Sequence, residues 1–293
     1  MAKLVSSPKK YLPSEWHNSN KLNYSSAEKE RAAAERLRAE CVRLRRETDA
    51  TIARNQHDTA HKFSQRLRDV DFWKSELQRK LADNASETEV LVHRRERLEE
   101  ALASTQFPLE VAQTCLSLRQ QRTAIDLVQD DVEMQLLKEV AVIEAVQDSL
   151  QKTLDQTVEQ IRVLRSYKFK LEKDLRDKLG AQDIDTTCAG LTNDRRDLTY
   201  SPEAVKIQSN SVTPEHWASL TDTNIAKAEE QCKASATLCG VIDSILNQCS
   251  QDVETQRGKV DLSLEKRAQE IADAKKTLEQ HLAKLVVGPG TIE

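Results

Sequence analysis

Leu136, Ile143, Leu150, Thr157, Leu164 and Leu171 stand seven residues apart, and Val132 and Val146 each fall four residues before a member of that series. Apolar residues at alternating spacings of three and four line one stripe of an α-helix, and such a stripe is stable only when another helix covers it. A stripe this narrow builds no pocket of its own. The pattern points to helices that assemble along their length and away from catalysis.

Composition agrees with that reading. Of the 293 residues, 31% are charged, 38% hydrophobic and only 4% aromatic, with 6 Gly and 6 Pro. A globular protein of this length needs more apolar and aromatic side chains for its core, and more Gly and Pro for its turns. A disordered chain lacks the period. Long helices with narrow seams satisfy both constraints. The formal net charge is -4, with acidic and basic residues interleaved as in Glu28-Lys29-Glu30-Arg31. That is a solvated helix surface, and it suggests neither a nucleic-acid partner nor an anionic membrane. No apolar run approaches a membrane span. Residues 1–10 lack the apolar core of a secretory signal, so an intracellular protein with reduced cysteines is expected.

The spacing and the punctuation predict five regions. Residues 1–25, with Pro8, Pro13, Trp16 and Asn18, read as an irregular N-terminal arm. Residues 26–180 read as a helical hairpin. Its first helix has no Gly or Pro from 26 to 105 and would be roughly 120 Å long. The seam passes through Leu37, Cys41 and Leu44 and loses regularity near 51–63. It resumes in a new phase with Val70, Leu77, Asn84, Leu91 and Leu98 in one position and Leu67, Leu81 and Leu102 in the other. Thr105-Gln106-Phe107-Pro108 predicts the reversal, because proline disfavours helix at the residue before it and suits the first turn of a new one. Counting outward from a turn there places Leu98 beside residues 115–118. The second helix is expected to end at Gly180. Residues 181–212 read as a loop and 213–286 as a third long helix, opened by Thr213 as N-cap, Pro214 and Glu215. Its seam carries Ile225, Cys232, Cys239, Ile242, Leu246, Cys249 and Val253, then Leu264, Ile271, Leu278 and Leu285. Residues 287–293 read as an irregular tail. The fold class is thus all-α: a long antiparallel helical hairpin plus a third long helix, forming a coiled-coil rod.

The residues at these positions resemble a known family. The run Arg66-Leu67, Asp69-Val70, Trp73-Lys74, Glu76-Leu77 is similar to the first rod helix of the tektins. FPLEVAQTCLSLRQQRTAIDLVQDDVEMQLLKEVAVIEAVQDSL, residues 107–150, resembles the hairpin and second helix of that family. Asp183-Ile184-Asp185 with Cys188, then Trp217, and the arm with Leu12-Pro13 and Trp16 extend the likeness to about residue 285, and within the family it is to the B-type tektin. The resemblance implies a filament protein of ciliary and flagellar axonemes, packed inside doublet microtubules. It implies contacts with tubulin, with other microtubule inner proteins and with itself or other tektins, and no catalysis, cofactor or metal. Full tektins carry a second half that mirrors the first and is joined to it by a cysteine-containing nonapeptide loop. The chain lacks that loop, so it is expected to lack the second half. A membrane-shaping dimer of the BAR type and a generic cytoplasmic coiled-coil adaptor are the rival readings of three long helices.

Several constellations have a functional and a plain reading. His57 and His61 lie four apart, as in a zinc-binding helix, but no third ligand or cleft accompanies them, so they read as solvated residues. Cys232 and Cys239 are about 10 Å apart along a helix, too far for one disulfide or one zinc, and read as small seam residues. Cys188, placed in a loop, is a candidate contact or reactive thiol. Trp73 and Trp217 read as packing at helix crossings or as partner contacts. Trp16, on an arm with no core, reads as an interface anchor. Asn84, Arg122, Gln129 and Glu139 interrupt apolar stripes; either they set register and partner choice or the seam is solvated there.

Overall fold

The computed structural model of the chain describes residues 7–191 and 211–287. Among them there is no strand. The elements are α1 (Pro13–Ser104), α2 (Gln106–Gln120), a 3-10 turn at Ala124–Asp126, α3 (Asp131–Ala189) and α4 (Pro214–Val287). The fold is all-α, as the period predicts. The chain divides into two units, residues 1–69 with 183–195 and residues 70–182 with 196–293.

The second unit holds the core. Leu77 clusters with Leu171 and Ile225. Leu91 and Leu98 cluster with Val146, Leu150, Ile161, Leu164, Cys239, Ile242 and Cys249. Ala112 clusters with Val132, Leu136 and Val260. Numbers rise along α1, α2 and α4 while they fall along α3. The α3 helix therefore runs antiparallel to the other three, and α1 with α2, α3 and α4 share the same series of buried clusters. Each isolated contact is small, but burial contributes about 0.8 kcal/mol per CH₂, and these clusters repeat along the seam.

The reversal is not at residues 105–108. The partner order continues smoothly from Leu98 to Ala112, so α2 prolongs α1, and Leu98 packs near Val146 and Leu150 rather than residues 115–118. Thr105 itself keeps right-handed helical angles, φ -79 and ψ -16. Pro108 sits in the first turn of α2, where the missing N–H costs little. The seam explains the continuity: Leu98, Thr105 and Ala112 stand seven apart and all three are buried. Thr105 accepts a hydrogen bond from Gln147 Nε2 at 3.0 Å, which secures α3 against this joint. The chain turns instead between α2 and α3, across residues 121–130. Asp130 opens α3 by accepting the Glu133 N–H at 3.0 Å. Asp130-Asp131-Val132-Glu133 is a capping-box sequence, and it marks this start.

Two other boundaries differ from the sequence reading. The arm is helical from Pro13, which takes the first helical position, and the Glu15 carboxylate accepts the Leu12 N–H at 2.8 Å. The α3 helix passes through Gly180 and ends at Ala189. One glycine inside a helix costs only about 1 kcal/mol, too little to end a helix by itself. The connection to α4 is correspondingly shorter at its start, and its residues 192–210 lie outside the described residues, as do 288–293 of the expected tail. At α4, Thr213 caps the helix by accepting the His216 N–H at 3.2 Å.

Candidate functional site

Two stretches keep an apolar period but leave it uncovered. On α4 the seam is buried through Val260 and Ser263. One residue out of phase with Ser263, the series Leu264, Ile271, Leu278 and Leu285 is exposed throughout, with Leu285 78% accessible. A groove of about 700 Å³ lies along this face, with Asp126, Arg267, Ile271, Leu278 and Leu282 on its walls. On the part of α1 that belongs to the first unit, Leu37, Cys41 and Leu44 are exposed. Within that unit Arg66 pairs with Asp185 at 3.5 Å.

The connection before α3 is a polar knot with an apolar tip. Asp130 is nearly buried and faces three guanidinium groups: Arg119 from α2, Arg122 from the turn at 3.8 Å, and Arg267 from α4 at 3.4 Å. Burial pushes its carboxyl up, but Arg119, the Glu133 N–H and Arg267 outweigh this and hold it below the usual range. Ala124 adopts φ 53, a strained angle for a residue with a Cβ, and the neighbouring Ile125 is 92% accessible. No glycine marks this turn, so composition gives no sign of it.

The four residues singled out as contacts separate into different surroundings. Trp16 is 61% exposed on α1, stacked edge-on against His17. Trp73 is half-buried against the Leu77–Leu171 cluster. Trp217 is half-buried at the start of α4, with the Lys178 ammonium 3.6 Å from its ring centre. Cys188 is half-buried in the last turn of α3, not in a loop, because α3 runs on to Ala189. The structure does not gather these four into one site. His57 and His61 are exposed, and among the described residues no group of His, Cys, Asp or Glu is arranged to hold a metal. Burial raises the thiols of Cys232, Cys239 and Cys249, consistent with packing residues.

The polar seam residues also diverge. Asn84 is fully buried, with its amide nitrogen 4.0 Å from Cys232 Sγ. Glu139 is buried, and burial followed by the nearby Asp261 pushes its carboxyl up. Arg122 joins the Asp130 knot, and Gln129 is exposed. Sequence reasoning missed Lys178 altogether, which is buried at a seam position of α3. Its seven-residue spacing from Leu171 was the available signal.

Comparison with known proteins decides the family. The Tektin family model matches residues 16–287. This chain belongs to the tektin family. It is 42% identical over 275 residues to Tektin-4 of Xenopus laevis, 37% to Tektin-4 of Mus musculus and 38% to Tektin-4 of Bos taurus, covering 94% of this chain each time. The chain spans 62% of the length of these curated relatives. Since all three are Tektin-4 proteins, nothing here attaches the B-type label to the chain. Tektins are structural cytoskeletal proteins of ciliary and flagellar axonemes, a family without known enzymes. The match displaces the BAR and generic-adaptor readings. Among the described residues no helix is long and apolar enough to cross a membrane.

Proposed function

We propose that this tektin chain is a filament-forming inner component of doublet microtubules, stabilising the axoneme and supporting cilium assembly and motility. Its partners are tubulin, other microtubule inner proteins and itself or other tektins. The supporting observation is an uncovered stripe: Leu264, Ile271, Leu278 and Leu285 repeat every seven residues, as the core does, and are exposed. A periodic apolar face of this kind is the face of a helix that joins a longer assembly. The role is mechanical, since many small contacts add along the helices and resist bending. Trp16, Trp73, Cys188 and Trp217 are the proposed contact residues, with Trp16 the most accessible anchor. The test is fractionation of axonemes from ciliated cells that express the tagged chain. It is expected in the fraction that resists detergent and high salt. Recovery in the detergent-soluble fraction would overturn the reading.

A further inference from the structure

The α4 seam holds little information about its own axial position. Thr221, Ala228 and Ser235 follow one another at intervals of seven, as do Ile225, Cys232 and Cys239. A slip of one heptad along α3 exchanges small side chains at most of these positions, with Ile225 and Ile242 the exceptions, so apolar packing alone distinguishes the two registers only weakly. Polar contacts must choose between them: Arg267 of α4 meets Asp130, at the cap of α3, at 3.4 Å and acts at the far end of the seam. The surface pairs of Arg94 and Arg97 with Asp243 are half-exposed or exposed and carry little energy. Gln256 donates to the Gln135 carbonyl at 3.1 Å, and a backbone carbonyl is offered by every turn.

One cluster is different in kind. Lys178 is 1% exposed and donates to Asp174 Oδ1 at 2.9 Å. The two oxygens of Asp174 also accept from Thr221 Oγ1 and from Asn224 Nδ2, both at 3.2 Å and both on α4. The Trp217 ring of α4 covers the ammonium. Sliding α4 by one heptad in one direction brings Ala228 and Gln231 opposite Asp174. In the other direction it brings Pro214 and Trp217. Neither set reproduces the Thr221 and Asn224 donors, so a slipped register leaves the carboxylate under-bonded at a buried site, where ions need every partner.

We propose that Lys178, Asp174, Thr221, Asn224 and Trp217 form a register clasp that selects one axial position of α4 on α3. The consequence reaches the candidate interaction surface. The register determines how far the stretch from Leu264 onward extends past the turn at residues 121–130, and one heptad changes that extent by about 10 Å. The clasp acts within the chain and stands whether or not the axonemal reading holds.

The test measures the distance between spin labels on Lys152 of α3 and Lys227 of α4, both exposed. The labels are introduced through ketone-bearing amino acids, which leave the native thiols alone, and the labelled chain is diluted with unlabelled chain. The parent is expected to show one narrow distance. Asp174→Leu with Lys178→Met replaces the clasp by apolar side chains, a change that buried ion pairs often tolerate. It is expected to keep its helix content and show a second population displaced by roughly 10 Å. A single unchanged distance in that folded variant would overturn the proposal. Should the double variant lose helix content, Thr221→Ala with Asn224→Ala decides by the same readout while leaving the α3 pair intact. Moving the clasp one heptad earlier, with Tyr167→Asp, Leu171→Lys, Asp174→Tyr and Lys178→Leu, should shorten the distance by roughly 10 Å. Retention of the parent distance there would also count against it.

Discussion

Leu77, Leu91 and Leu98 are fully buried, whereas Leu37 and Leu44, on the same helix and in equally regular sequence, are more than half exposed. The α4 helix repeats the contrast, with Ile242 buried and Leu278 exposed. The buried stretches meet two helices at once, which is possible because α4 offers small residues such as Ala228 and Ser235 at the crossing. Among the described residues, Leu37, Leu44 and Leu278 join none of the buried clusters. A heptad stripe therefore records that a partner is needed, and says nothing about which molecule supplies it.

The largest expected effect lies in the buried region. Leu150→Asp places a charge in the main cluster and should cost more than about 4 kcal/mol, enough to abolish cooperative thermal unfolding followed by circular dichroism. Leu150→Ala should cost about 2–5 kcal/mol, and Leu44→Ala no more than about 0.5 kcal/mol in the same urea titration. Equal costs for the two alanine variants would show that the exposed stretch is covered in solution and would break the comparison.

A smaller effect concerns pH. The folded Glu139 titrates above its unfolded value, so its contribution to stability falls as pH rises from the ordinary glutamate range through the folded value. Glu139→Gln should therefore raise the melting temperature at neutral pH by a few degrees and flatten that part of the profile. Asp130 has the opposite sign. Its folded value is depressed, so its contribution is present above the ordinary aspartate range and is lost as pH falls through the folded value. Asp130→Asn should reduce the loss of stability on acidification, and an unchanged acid limb would show that the three arginines do not hold the turn.

Thiol labelling sharpens the contrast without altering stability. Cys41 should react with iodoacetamide in the native chain, while Cys239 and Cys249 should react only after denaturation, as read by mass spectrometry of the labelled peptides. The smallest effect on the isolated chain is expected for Trp16→Ala, which should leave helix content and unfolding unchanged because the ring touches no core. In cilia the same change should weaken incorporation, since loss of an interface tryptophan can cost about 2 kcal/mol. Normal incorporation would show that the Trp16 face has no partner.

Period and composition alone determined the fold class, the helical phase of Val70 to Leu98 and the start of α4. These depend on local geometry: side chains three and four apart share a face wherever the helix goes. The family resemblance was also legible. The reversal was not found, although Asp130-x-x-Glu133 carried its signal, because Pro108 is the louder mark and a proline in a first turn looks the same whether the chain turns or continues. That decision needed the third helix, since only the order of partners from Leu98 to Ala112 shows that α2 prolongs α1. Lys178 escaped for a related reason. A lysine at a seam position is ordinarily solvated, and Asp174 and Trp217 brought against it help to make burial tolerable. Which stripes are covered and which are left open was likewise a tertiary decision. A repeat of seven is the same in every register, and only the unique polar contacts between helices distinguish one register from the next.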